Sequence, residues 1–127
     1  MKSDESCLFC HVDKSLMIIS KPLAYAMRDG FPVTPLHTLI IPRRHVASFF
    51  ELTEDELSAC HELLLLLKNE ISQEDPSVEG FNIGVNVGQA AGQSVFHCHI
   101  HLIPRRTGDV ENPKGGVRHL IPGKGFY

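Results

Sequence analysis

The spacing of apolar and polar residues changes period along the chain. Three short apolar runs come first: "LMIIS" at 16–20, "LAYAMRD" at 23–29 and "HTLIIP" at 37–42. Pro22 and the stretch "GFPVTP" at 30–35 separate them, so each reads as a strand bounded by turn residues. "HVASFF" at 45–50 predicts a short helix. Thr53 and Glu56 then spell a capping box, and Leu57, Cys60, Leu64, Leu67 and Ile71 follow at spacings of three and four. That pattern predicts one long helix. Leu63, Leu65 and Leu66 widen its apolar stripe beyond one face. The widening fits a deeply buried helix, or one that covers the core on one side and a partner chain on the other.

Period two returns afterwards. "FNIGVNVG" at 81–88 alternates and reads as a strand, "QAAGQSV" at 89–95 as a glycine-bearing loop, and "HCHIHLIP" at 97–104 as the last clear strand. The tail from Arg105 onward is rich in Gly, Pro and charge; it reads as irregular, with a short strand over 117–121. Strands around one long helix predict an α+β class with a mostly antiparallel sheet. No repeat or linker divides the chain, so a single domain over 1–127 is expected, with 108–127 as its irregular tail.

Composition narrows the setting. A net charge of -3 over 127 residues gives no sign of a nucleic-acid binder, and 43% hydrophobic residues is ordinary for a globular protein. The longest apolar run, "LLLLL" at 63–67, is far too short to span a bilayer. The polar start "MKSDESCLFCHVDK" does not read as a signal peptide, so a cytoplasmic location is expected. In that compartment the four cysteines are thiols or metal ligands rather than disulfides.

The chemistry concentrates in "HCHIH". In a strand, His97, His99 and His101 share one face, while Cys98, Ile100 and Leu102 share the other. Successive histidines then stand ~7 Å apart along the strand, lined up along a ligand rather than gathered round one ion. Imidazole is a good nucleophile and a good general acid or base near neutral pH. The competing reading is a metal-binding strand or a satisfied polar face. The preceding loop suits a phosphate: Gly92 lets a backbone N–H come close, and Gln93 and Ser94 add donors.

The segment "GQSVFHCHIHLIPRR" and the upstream "DGFPVTPLHTLIIPRRH" at 29–45 together resemble the histidine triad (HIT) superfamily, over roughly residues 6–107. The tail is similar to one in bacterial members often labelled dinucleoside polyphosphate hydrolases. The resemblance implies a HIT-like fold with a five-stranded, mostly antiparallel sheet, one long helix and a short helix, and a homodimer. It implies a nucleotide hydrolase in which His99 attacks the α-phosphorus of a purine nucleotide conjugate, such as a dinucleoside polyphosphate or a phosphoramidate. Water then releases the nucleoside monophosphate. By the same resemblance His101 contacts the phosphate, His97 orients its neighbours or serves a metal, and His37 is a fourth active-site histidine. Asn86, Gly92, Gln93, Ser94 and Val95 match phosphate and leaving-group contacts, the last through its backbone N–H. Asp29 matches a ribose-binding acid, although beside Gly30 it also suits a turn. Leu8 and Phe9 match apolar residues that sandwich the base. Leu36 stands where the family usually has glycine. The nucleophile chemistry implies no catalytic metal. A nucleotide-binding regulatory module with incidental turnover, and a nucleotidyltransferase to an acceptor other than water, are the rival functions.

"CLFCH" at 7–11 places Cys7 and Cys10 at the spacing of many zinc sites. It also spells the haem-attachment pattern, which belongs outside the cytoplasm, and it fits two buried thiols without metal. Some HIT proteins carry a structural zinc on such a pair and two histidines, and this resemblance assigns the remaining ligands to His45 and His97. Cys60 and Cys98 read as core residues. The tail cations Lys114, Arg118 and Lys124, with His119, suit the distal phosphates of a polyphosphate; a solvated terminus is the alternative.

Overall fold

A computed structural model describes residues 3–127. Its strands are β1 (Met17–Ser20), β2 (Ala24–Arg28), β3 (Thr38–Pro42), β4 (Gly80–Gly84) and β5 (Ile100–Arg105), with one long helix, α1 (Glu54–Glu74). The strands form one sheet in the order β1-β2-β3-β5-β4. Every neighbouring pair is antiparallel. This is the α+β architecture expected from the sequence. No helix among the described residues is long and apolar enough to cross a membrane.

Alternation along the strands builds two apolar layers. Ala24, Ala26, Ile40, Ile100 and Leu102 point to one face and pack on Cys60, Leu63, Leu67 and Ile71 of α1. The small alanines of β2 let the helix approach the sheet closely. Tyr25, Leu39 and Ile41 point to the other face, where Phe9 of the N-terminal segment covers them. The Tyr25 hydroxyl donates to the carbonyl of Phe9 at 2.6 Å, which fastens that segment to the sheet. Both faces of β3 are therefore covered, and all five of its residues are buried.

Helix α1 begins at the predicted capping box: the Thr53 side chain accepts from the Glu56 N–H, and Glu56 accepts from the Thr53 N–H. Its buried stripe is phased differently from the expectation. Leu63 is fully buried, while Leu64 is half-buried and Leu57 exposed. Five consecutive leucines satisfy any helical phase, so the periodicity alone could not choose. Leu57, Leu65 and Leu66 are left exposed on the outer surface.

Four boundaries differ from the sequence reading. Residues 45–48 are not helical; only Phe49–Glu51 form a single 3-10 turn, closed by a capping box of Ser48 and Glu51. Strand β4 stops at Gly84 rather than continuing to 88, because its partner β5 starts only at Ile100 and Gly84 already pairs with His101. β5 in turn does not include 97–99. Its pairing with β3 ends at Ile40 opposite Ile100, and two residues further on β3 stands Pro42, which has no N–H to give. The tail carries a 3-10 helix, Gly116–Leu120, instead of a strand over 117–121. Gly115 and Gly116 both take positive φ there, 99° and 49°, and turn the chain out of an extended path.

Candidate active site

The triad divides into two neighbourhoods. Along β5, Ile100, Leu102 and Pro104 face the helix and are buried, whereas His101, Ile103 and Arg105 are half-buried on the opposite face. His99 lies just before the strand, and its ring sits 5.2 Å from that of His101. Its Nδ1 is 2.8 Å from the carbonyl of His97. A carbonyl only accepts, so Nδ1 carries the proton and the lone pair of His99 lies on Nε2.

His101 is set by His37, the residue before β3. The Val33 N–H donates to His37 Nδ1 at 3.2 Å, which leaves the ring proton on Nε2. That Nε2 is 2.9 Å from His101 Nδ1, so His37 donates and His101 presents its own N–H at Nε2. Burial pushes both groups toward the neutral form: His37 is lowered, and His101 falls to about 4, with His99 and His37 adding to the effect of burial. The Asp29 carboxylate opposes the shift; its Oδ2 is 3.4 Å from His37 Nε2 and 4.0 Å from His101 Nδ1. Its Oδ1 accepts from the Phe31 N–H at 2.8 Å. Asp29 thus takes the turn role and also stands beside the His37–His101 pair. Leu36, just before His37, takes φ of 70°, the left-handed region where glycine costs nothing and leucine is strained.

The ring of His97 turns away from the other two and is fully buried. Its Nε2 donates to the carbonyl of Pro42 at 2.6 Å. Its Nδ1 is 3.4 Å from Cys7 Sγ, 3.5 Å from Cys10 Sγ and 3.3 Å from His45 Nδ1. Cys10 Sγ is 3.4 Å from His45 Nδ1. The four donors converge within 4.8 Å of one another, a set that could hold a metal ion. His97 therefore does not stand in a row of three imidazoles along a ligand. Cys60 and Cys98 are buried as expected, and burial pushes their thiols up to about 11 and about 12.

In the loop before the triad, Gln93 is buried; its Oε1 accepts from the Gly88 N–H, and its Nε2 donates to the carbonyls of Ala47 and Val95. Both ends of the amide are used in fastening the loop. Gly92, with φ of 91°, and Ser94 remain exposed, and Val95 is half-buried. Phe9 is also buried, with its ring 5.0 Å from that of His99, while Leu8 stands open. Phe31 escaped the sequence reading. It is 92% exposed, and its backbone N–H donates to the Asp29 carboxylate. An aromatic residue between Gly30 and Pro32, two residues from the acid, was the available signal.

A cavity of about 650 Å³ adjoins this site, lined among others by His37, His101, Asn86 and Ile103. The tail reaches it with Gly116, Val117 and Leu120, and its cations lie elsewhere. Lys114 and Arg118 each stand 4.8 Å from the centre of the Tyr127 ring, and His119 packs against Phe126.

Comparison with known proteins agrees with the geometry. An uncharacterised HIT-like protein of Saccharolobus solfataricus is 31% identical over 95% of this chain and 89% of its own length. The adenosine 5'-monophosphoramidase of Candida albicans is 34% identical over 84% of this chain and 74% of its own. The crystal structure of a HIT family protein from Bacillus anthracis superposes with a TM-score of 0.73 at 31% identity, covering 98% of this chain and 81% of that one. The HIT domain matches residues 11–108, and the chain belongs to the HIT family.

Proposed function

We propose that the protein hydrolyses a purine nucleotide conjugate at its α-phosphate through a nucleotidyl-His99 intermediate. The observation that carries this reading is the hydrogen bond from His99 Nδ1 to the His97 carbonyl, which leaves Nε2 free and aimed away from the backbone. In the first step a bond forms between Nε2 and the α-phosphorus as the bond to the leaving group breaks. The leaving nitrogen or oxygen departs with the electron pair and takes up a proton. In the second step water adds to phosphorus and gives up a proton, the N–P bond breaks, and neutral His99 and the nucleoside monophosphate result.

The neighbours divide the remaining work. His101 offers its Nε2–H to a phosphate oxygen, held in that tautomer by His37. The exposed backbone at Gly92 and the Ser94 hydroxyl lie on the loop that covers the phosphate. Asp29 accepts from the ribose hydroxyls, and Leu8 and the open ring of Phe31 are the apolar surfaces available to the base. The named activity of the Candida albicans relative supports an adenylyl group and a P–N leaving bond.

Zinc fits the second cluster. With Zn–N of ~2.05 Å and Zn–S of ~2.3 Å, a tetrahedral shell has edges of ~3.3 Å between nitrogens and ~3.6 Å between nitrogen and sulfur. The observed separations, 3.3 Å between the two Nδ1 atoms and 3.4–3.5 Å from nitrogen to sulfur, match those edges. Cys7, Cys10, His45 and His97 would hold the ion with no position left for substrate, so its role is structural. A cytoplasmic setting keeps the two thiols reduced and available. The exposed leucines of α1 suit burial in a homodimer.

The test is mass spectrometry of alkali-quenched samples taken during turnover of adenosine 5'-phosphoramidate, since the N–P bond of a nucleotidyl-histidine survives base and not acid. A nucleotidyl group on the His99 peptide, and loss of turnover by roughly a thousandfold or more in His99→Ala, are expected. Near-normal turnover by that variant refutes the covalent route. A single burst of monophosphate without further turnover identifies a binding module.

A further inference from the structure

We propose that Asp4 is a positioning residue for the Cys7–Cys10–His45–His97 cluster, holding His45 and Cys10 in the forms that bind a metal ion. This rests on the preceding reading that the cluster holds zinc. It adds a residue that contributes no ligand of its own and sets the strength of those that do.

Both histidines of the cluster turn the same nitrogen inward. His97 gives its Nε2–H to the Pro42 carbonyl at 2.6 Å and leaves Nδ1 among the sulfurs. His45 also points Nδ1 at the cluster, 3.4 Å from Cys10 Sγ. A protonated Nδ1 has no lone pair for a metal, so binding requires the proton of His45 on Nε2. The group on that side is the Asp4 carboxylate, whose Oδ2 stands 3.7 Å from His45 Nε2. At that distance the contact is electrostatic rather than a hydrogen bond. A negative charge there favours the Nε2–H tautomer and makes Nδ1 the better donor to a cation.

The backbone of Asp4 serves the two cysteines. Its N–H donates to Cys10 Sγ at 3.4 Å, a bond that stabilises a thiolate more than a thiol. Its carbonyl accepts from the Cys7 N–H at 3.1 Å and from His11 Nε2 at 3.1 Å. Asp4 thereby touches Cys7, Cys10 and His45, and Pro42 does the same duty for His97.

The two carboxylate oxygens divide the work. Oδ1 accepts from the Ser6 N–H at 2.8 Å and the Ser6 hydroxyl at 2.7 Å, which closes a turn. A turn needs only that oxygen, and Oδ2 is left for His45. Asp13 is the contrasting case in the same stretch: it accepts from the Ser15 N–H at 2.8 Å and serves a turn alone. Asp4→Asn separates the two roles. The amide oxygen still accepts from Ser6, while the NH2 group faces His45 Nε2–H, so donor meets donor.

The test measures zinc affinity of the full chain by competition with a chromophoric chelator. Asp4→Asn and Asp4→Ala should each bind zinc ~10-fold or more weakly than the wild type. Asp13→Asn should match the wild type. Melting temperatures with and without zinc distinguish a role toward the metal from a role in the turn. Metal-free Asp4→Asn should melt with the metal-free wild type, and its zinc-loaded form below the zinc-loaded wild type. Asp4→Ala, which loses the turn as well, should melt lower in both forms. Wild-type affinity in Asp4→Asn, or a drop in its melting temperature that is equal with and without zinc, overturns the inference and leaves the zinc reading standing. A wild type that binds no zinc overturns both.

Discussion

Replacing Glu56 with Gln should remove about 3 kcal/mol of stability at neutral pH, from one side chain. The carboxylate is almost fully buried at the start of α1 and satisfies three donors. Oε1 accepts from the Thr53 N–H and from Arg44 Nη2, each at 2.8 Å, and Oε2 accepts from Arg44 Nε at 2.9 Å. The Arg44 guanidinium holds the Glu56 carboxyl down to about 2 from its ordinary 4.5. Each tenfold change in proton affinity is worth ~1.4 kcal/mol, which gives the ~3 kcal/mol. A Gln amide keeps one acceptor and points its N–H groups at Arg44, so the charge-assisted pair cannot re-form. The sign follows from the lowered value. The contribution is complete above pH 4.5, shrinks to ~2 kcal/mol near pH 3.5, and vanishes as pH falls through 2. Urea unfolding of Glu56→Gln and wild type at pH 7 and pH 3.5 reads this directly, with a melting temperature lower by ~10 °C at pH 7. A gap under ~1 kcal/mol at pH 7, or one that does not narrow toward pH 3.5, refutes the assignment.

Two further outcomes follow from the site. His101 is held neutral to about 4, so between pH 4 and 6.5 the unfolded chain binds its proton first and stability falls as pH drops through that window. His101→Gln should flatten the pH dependence of unfolding free energy there, and an unaltered slope rules the buried neutral imidazole out. Cys10→Ser should lower bound zinc from about one equivalent to near zero and lower the melting temperature with it. Elemental analysis of protein purified without added metal is the measurement, and a metal-free, well-folded wild type counts against the zinc centre.

Elements whose signals are local were legible in the sequence. Thr53 and Glu56 announced α1 because a capping box is written in two residues and closed by the same two side chains. Ser48 and Glu51 carry the same signal and went unread, so a helix was expected over 45–50 where only one 3-10 turn forms after Ser48. Features set by partners distant in the chain were not legible. The start of β5 depends on Pro42, the end of β4 depends on the start of β5, and the phase of α1 depends on which leucine meets Ala24 and Ala26. The convergence of Cys7, Cys10, His45 and His97 was legible because the histidine triad resemblance supplied the contacts between Cys7, His45 and His97 that spacing alone does not contain. Gln93 is the opposite case: a polar residue in a glycine loop suits a ligand, and only its three hydrogen-bond partners reveal that it also fastens the loop.

His97 explains why three histidines at alternate positions are needed although they do not share a strand. Its ring belongs to the cysteine cluster, with Nδ1 among the sulfurs and Nε2 tied to Pro42. Its backbone belongs to His99, because the His97 carbonyl accepts the hydrogen bond from His99 Nδ1. Anchoring the ring fixes the peptide, and the peptide fixes which nitrogen of His99 carries the lone pair. His101 obtains the same control from the other direction, through His37 and the Val33 N–H. His99 is thus oriented by the backbone carbonyl of a histidine whose ring is anchored, and His101 by a histidine ring that a backbone N–H holds in turn. One imidazole presents a lone pair and the other an N–H, 5.2 Å apart by ring centre, the pairing that the proposed attack on phosphorus and neutralisation of its oxygen would use. A carbonyl at His97 and an N–H at Val33 cannot titrate, so this division of roles persists wherever the rings themselves stay neutral.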